Sequence, residues 1–260
     1  MKGSATVYFV GAGPGDPELI TLKGHRLLKE CDVVIYAGSL VNPVLVAGLR
    51  ARVYDSAHMP LEEIVDTMIA AAKEGKMVVR LHSGDISFYS AITEQIHRLR
   101  SAGVAFEVVP GVSSLGAAAA TIGQELTIPE VSQSVIVTRI EGNTAVPGSE
   151  RLSALATHRA TMVIFLSIAH IDNVVAELAT SYPADTPVVV VERASWPQER
   201  VFEGTLQTIA SIIKEAGITK TALILVGEAL RTDKSKRSRL YDGEFQKNYK
   251  CGYGRTSAQQ

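Results

Sequence analysis

The sequence predicts an α/β protein built from two α/β domains. Three observations carry that expectation. Short apolar β-branched runs recur along the 260 residues, helical periods separate them, and turns rich in Gly, Pro, Ser and Asp follow them. Buried runs alternating with helices are the pattern of a largely parallel sheet.

In the first half, VYFV (7–10), VVIY (33–36), VVRL (78–81) and FEVV (106–109) read as buried strands. Leu61, Ile64, Val65, Met68 and Ala72 recur at helical spacing; Pro60 suits the first turn, Glu62 and Glu63 its dipole, and Gly75 follows the end. Ile92, Gln95, Ile96 and Leu99 mark another helix, which stops at Gly103. VVPGVSSLGAAAATIGQELTIP (108–129) has small residues, no charge before Glu125 and a proline near either end. It predicts a tightly packed connecting helix where domain 1–112 gives way to domain 113–230. Further strands are expected near 135–138, 162–166, 188–191 and 222–226, and helices near 171–178 and 206–214. From Arg231 the chain is polar and basic, a tail over 231–260. No internal repeat is evident.

The balance of 46% hydrophobic and 20% charged residues is that of a soluble globular protein. A formal net charge of −1 argues against nucleic acid or an anionic membrane as partner. No apolar run reaches the length of a membrane span. Cys31 and Cys251 lie far apart and suit a reducing cytoplasm better than a disulfide framework. The six histidines lack metal-site spacing, so no metal is expected.

The opening GAGPGDPELIT (11–21) invites a dinucleotide reading, but the fingerprint G-x-G-x-x-G fails because Asp16 occupies the third-glycine position. The second strand ends in Tyr36, Ala37 and Gly38, without the acid that would hold ribose hydroxyls. No Gly-Lys-Ser/Thr follows, which removes the P-loop as well. Asp16-Pro17 reads instead as a helix start, with Asp as N-cap and Pro at the first helical position. RLHSGDISFYS (80–90) and VVPGVSS (108–114) place two more Gly-, Ser- and Asp-bearing turns after strands of the same sheet. Three such loops should converge on the carboxyl rim, where open α/β sheets bind ligands.

With these motifs in view, the chain resembles the tetrapyrrole (corrin/porphyrin) methyltransferases over about residues 6–230. GAGPGDPELIT, CDVVIYAGSLV, GDISFYS, VPGVSS and WPQERV fall in family order. Many members have Gly-Asp-Pro where this chain has Gly84-Asp85-Ile86. That variant, with LHSGD, QELTIP, TRIEG and ASWP, is similar to the branch that methylates C11 of precorrin-4 or cobalt-precorrin-4 in cobalamin synthesis. The resemblance implies a class III methyltransferase fold with the active site in a cleft between two α/β domains, usually as a homodimer. It also implies S-adenosylmethionine (SAM) as cofactor, with S-adenosylhomocysteine as product.

The resemblance further implies that Pro14, Ser83, Gly84, Asp85, Phe88, Tyr89, Ser113 and Ser114 contact SAM, with Leu166 and Ala194 at the adenosine. Leu166 reads equally well as an ordinary core leucine. A tetrapyrrole carries carboxylates, so cations are needed: Arg139 first, then Arg80 and Lys23, which also read as solvated surface. Gly13, Pro14 and Gly15 should lie beneath the macrocycle. Asp16, His82 and Glu141 are candidates for proton movement or for local capping and pairing, His82 more for position than for basicity. Some relatives carry an Asp after the tyrosine of VVIY; Ala37 stands here, so that role does not carry over. Methylation of another ring position, a non-tetrapyrrole substrate and a non-catalytic binding protein are the alternatives.

Overall fold

The computed structural model describes residues 5–142 and 144–231; the basic tail beyond Arg231, with Cys251, lies outside the described residues. By contact the chain divides into two compact units. One takes the chain up to Gly123 with Val191–Val201 and Lys220–Leu223, the other Gln124–Val190, Phe202–Thr219 and the chain from Ile224 on.

The first sheet comprises β1 (Val7–Gly11), β2 (Val33–Tyr36), β3 (Arg52–Asp55), β4 (Val78–His82) and β5 (Phe106–Val109), in the order β3-β2-β4-β1-β5. Every ladder in it is parallel. Helices α1 (Leu22–Glu30), α2 (Leu61–Lys73) and α3 (Ile92–Ser101) complete the βα repetition. Both faces are apolar. On one, Val7, Phe9, Val33, Ile35 and Val78 pack with Met68 and Ala72 of α2 and Leu99 of α3. On the other, Val10, Val34, Val79 and Leu81 pack with Leu27 and Leu28 of α1. A parallel sheet covered on both faces accounts for its continuous apolar strands.

The register sets the site. Gly11 is level with His82, and Val10 with Val109, so the turns after β1, β4 and β5 leave from one edge. The chain leaves β1 toward β2 on one side and β4 toward β5 on the other. The carboxyl ends of β1 and β4 therefore flank the topological switch point, where such sheets bind ligands.

The connecting helix is shorter than the sequence suggests. α4 spans only Ser114–Thr121, capped by the Ser113 hydroxyl, because residues 110–113 form a rim loop and Gly123, at φ +62°, ends the helix. Pro60 stands at the N-cap of α2 rather than inside its first turn. The helix start at Asp16-Pro17 is a single 3-10 turn, Pro17–Leu19; α1 begins afterwards, under a separate cap from Thr21.

The second sheet holds β6 (Val135–Arg139), β7 (Thr161–Phe165), β8 (Pro187–Glu192), β9 (Arg200–Thr205) and β10 (Ala222–Val226), in the order β6-β7-β10-β8-β9. It is mixed: β6 and β7 are parallel, β7 and β10 antiparallel. Helices α5 (Leu152–Ala156), α6 (Ile171–Leu178) and α7 (Ile209–Glu215) bury Leu152, Val174, Leu178, Ile209 and Ile213.

Alternation along β4 turns Arg80 and His82 onto the same face as Val78 and Phe9. Both are buried, at 5% and 6% exposure, so Arg80 is not solvated surface. Its guanidinium donates to the Ile35 carbonyl (3.1 Å) and the Ser56 hydroxyl (3.0 Å), and burial draws its pKa down to about 10. The His82 ring lies 6.2 Å from that of Phe9. Burial, with the Arg80 cation adding to it, pushes His82 down to about 3, too low for a general base near neutrality.

Protonating His82 therefore favours unfolding. The unfolded imidazole takes its proton near pH 6.5 and the folded one only near pH 3, so stability is intact above 6.5 and falls as pH drops through that window. Between pH 7 and 5 the loss from this group should reach about 2 kcal/mol. Urea denaturation of wild type and His82→Gln at both pH values checks it: the variant should lose less, by about that amount.

Candidate active site

Three turns meet at the rim with their backbones almost touching. A Cβ on Gly11 would stand 2.6 Å from the Gly111 Cα and 2.7 Å from the Gly84 carbonyl oxygen. A Cβ on Gly111 would overlap that same oxygen. Only glycine allows this approach. Reciprocal hydrogen bonds then lock the first two turns: Gly84 N donates to Gly13 O (2.7 Å), Gly13 N to Gly84 O (3.3 Å), and Ala12 N to His82 O (2.7 Å). Thus the structure brings Gly13, Gly84 and the loop before Ser113 together.

Asp85 braces the third turn. Its carboxylate accepts from Gly111 N (2.8 Å) on one oxygen and Ser87 N (2.9 Å) on the other. Partial burial pushes this carboxyl up, but the donors from Gly111, Ser87 and Ile86 outweigh it and hold the group below its ordinary value. Beyond Ser87 the turn carries Phe88 and Tyr89 at 38% and 44% exposure, with Tyr89 and Ala91 in the left-handed region. Tyr89 thus combines an exposed ring with strained backbone, which suits a ligand wall. Ser113 caps α4, accepting from Leu115 N (3.2 Å), and Ser114 N lies 3.9 Å from where a Gly84 Cβ would stand. Among the described residues, apart from its chain neighbours, nothing else comes within 4 Å of that point, so the space in front of Gly84 is open.

The opening loop is held from two sides. Asp16 uses its carboxylate as a cap for Glu18 N (2.9 Å), while its own N–H donates to the Ser195 hydroxyl (3.0 Å). The Trp196 indole donates to the Pro14 carbonyl (2.9 Å), and the Asn42 amide to the Gly15 carbonyl (2.9 Å). Pro14 and Gly15 are buried as a result. Glu199 fixes the clamp, accepting from Ser195 N (2.6 Å) and from the Thr121 hydroxyl (2.9 Å). Ala194 is buried between two left-handed residues, Arg193 and Ser195.

In the second sheet, Leu166 follows the end of β7 at φ +55° and is 70% exposed, so it is no core leucine. The next residue, Ser167, is fully buried; it accepts from Ile140 N (2.9 Å) and donates to Phe165 O (2.6 Å), tying the ends of β6 and β7. Arg139 is committed to its own loop, its guanidinium donating to the carbonyls of Ile140, Thr144 and Ala145 at 3.0–3.2 Å. Glu141 is exposed in that loop. Lys23, exposed on α1, pairs with Glu107. Among the described residues no group of three or more His, Cys, Asp or Glu could hold a metal ion.

The sequence reading passed over Asn42, Ser167, Ser195, Trp196 and Glu199 as site residues. Asn42-Pro43 repeats the Asp16-Pro17 signature of a capped turn, and Trp196 is the only tryptophan in the chain. Those were the available signals.

A parallel sheet with a glycine-lined junction at its switch point is the frame of a ligand-binding α/β enzyme, and comparison with known proteins gives the class as methyltransferase. Residues 6–210 match the Tetrapyrrole (Corrin/Porphyrin) Methylases, and the chain belongs to that family. It is 53% identical to the cobalt-precorrin-4 C(11)-methyltransferase of Methanocaldococcus jannaschii, over 96% of this chain and 98% of that one. It is 48% identical to the precorrin-4 C(11)-methyltransferase of Pseudomonas aeruginosa, over 95% and 99%. A solved uroporphyrin-III C-methyltransferase from Thermus thermophilus, in complex with S-adenosylhomocysteine, superposes with a TM-score of 0.75 at 33% identity, covering 87% of this chain and 99% of the other.

Gly111→Ala should cost at least about 1–3 kcal/mol, the range for forcing one methyl into a packed position. Urea denaturation reads the loss. Gly116→Ala, where a Cβ meets nothing within 4 Å, is the control and should hold or gain stability.

Proposed function

We propose that the protein transfers a methyl group from SAM to C11 of precorrin-4 or its cobalt complex, a step in building cobalamin. The observation that carries this reading is the glycine junction at the switch point in a chain that matches C11-methyltransferases along nearly its whole length. The residues present fit the cofactor: among the described residues the space in front of Gly84 is open, exposed aromatics follow on the same turn, and the first turn of α4 offers backbone donors beside it.

SAM supplies a methyl group already activated by its sulfonium. The protein's task is therefore alignment and exclusion of water, not activation. Ser83, Gly84 and Asp85 present backbone to the methionine part, with Asp85 fixing the spacing between the β4 and β5 turns. Phe88, Tyr89, Ser113 and Ser114 border the same space, and Pro14 joins them from the opening turn. Leu166 and Ala194 take the adenosine; an apolar side chain exposed on strained backbone supports that role for Leu166. Gly13, Pro14 and Gly15 form the substrate-side floor.

Arg139 serves the substrate by shaping the loop that carries Glu141, since its guanidinium is already engaged there. Of the three candidates for proton movement, His82 is buried and uncharged, so the step is assigned to Asp16 or Glu141. The protein works in the cytoplasm as a homodimer; among the described residues no helix is long and apolar enough to cross a membrane.

Incubating the purified protein with methyl-labelled SAM and precorrin-4, with and without cobalt, tests the reading. The label should appear at C11 by NMR; a label at another ring carbon, or none, overturns it. Asp85→Ala should weaken S-adenosylhomocysteine binding about tenfold, since a hydrogen bond to a charged group contributes about 1.5–3 kcal/mol. Asp85→Asn, which keeps one acceptor, should fall between. Isothermal titration calorimetry measures both.

A further inference from the structure

We propose that Trp196 is a positioning residue for the substrate-side turn at residues 13–16, acting through the Pro14 carbonyl and the Gly15 backbone. The inference rests on the proposed C11 methyl transfer for its kinetic consequence, and on geometry alone for its structural one.

The turn has little of its own to hold it. Pro14 has no N–H, Gly13 sits at φ +83°, and Gly15 has no side chain to pack. Its polar groups are instead taken from outside. Gly84 takes both backbone groups of Gly13, the Trp196 indole takes the Pro14 carbonyl, Asn42 takes the Gly15 carbonyl, and the Ser195 hydroxyl takes the Asp16 N–H. Trp196 does two things among these. Its N–H supplies a hydrogen bond, and its ring lies so close over Gly15 that a Cβ there would overlap three ring atoms. The indole is thus both anchor and roof, and it fixes the height of the turn. The segment bearing it is fixed in turn: Ser195 is left-handed at φ +67°, and the Glu199 carboxylate holds its N–H at 2.6 Å.

A group that sets the turn should matter for the molecule resting on it more than for the cofactor held by the β4 and β5 turns. Trp196→Phe keeps a ring and removes the donor; Trp196→Ala removes both. Hydrogen exchange of the Asp16 amide, read by mass spectrometry or NMR, tests the geometry without any activity. The amide should exchange at least about tenfold faster in Trp196→Phe while core amides of β1 and β4 keep their rates. Equal exchange in variant and wild type overturns the proposal.

Kinetics test the consequence. In Trp196→Phe, kcat/KM for precorrin-4 should fall about tenfold or more, at least about threefold beyond any rise in the S-adenosylhomocysteine Kd, because Pro14 also borders the cofactor space. An equal loss of cofactor affinity, together with a lowered melting temperature, overturns the proposal in favour of a purely structural role. Gly15→Ala should be similarly harmful alone, yet add less than about twofold on a Trp196→Ala background, because the colliding ring is gone. Additive losses overturn the contact. If wild type itself transfers no methyl to precorrin-4, the functional reading fails, and the exchange experiment still decides the role of Trp196.

Discussion

Gly11, Gly84 and Gly111 meet where no side chain could fit, and the rest of the site depends on that approach. The carbonyl of Gly84 occupies the space a Cβ on either partner would need. Because the strands are parallel and in level register, the three turns start from one edge. Because they lack side chains at the meeting point, they can hydrogen-bond to one another directly. What results is a surface made of backbone, stiffened by Asp85 on one side and by Ser195, Trp196 and Asn42 on the other. Such a surface holds a ligand in place and offers little reactive chemistry. That is the requirement of transfer from a donor that is reactive before it binds.

The fate of the titratable groups follows the same logic. Asp16 caps a turn, Asp85 joins two, and Arg139 supports the loop after its own strand. Arg80 and His82 lie beneath the sheet, where Arg80 crosslinks β2 to β4 and His82 stays uncharged. Asp16, Asp85 and Arg139 each have a structural bond to keep, whatever else they do, and Arg80 and His82 are buried. Neutral imidazole beside a buried guanidinium also avoids placing two positive charges in an apolar layer, which is costly.

How much of this the sequence discloses depends on distance along the chain. VYFV and VVIY announce themselves as strands because both faces of their sheet are covered, so every position is drawn toward apolar residues. RVYD and RVFEGT do not, since β3 and β9 are edge strands with exposed, charged positions. The cap at Asp16 is local and legible. The clamp at Ser195 and Trp196 joins residues about 180 apart, and no nearby pattern encodes it. Arg80 misleads for a related reason. In VVRL it resembles a solvated cation, and only the helices packed on that face make it buried. The Ala-rich stretch suggests a longer helix, yet Gly111 is needed at the rim before it and Gly123 ends it, which leaves α4 just eight residues.

The tryptophan over Gly15 has a consequence for observation. It is the only indole in the chain, so all tryptophan emission of the chain arises from one place. That place is the turn that follows β1. Indole emission responds to the polarity and hydrogen bonding around the ring, and here the ring N–H is engaged by the turn itself. The molecule therefore carries a built-in optical label on its opening turn, and that turn can be followed in the unmodified protein as ligands arrive and leave.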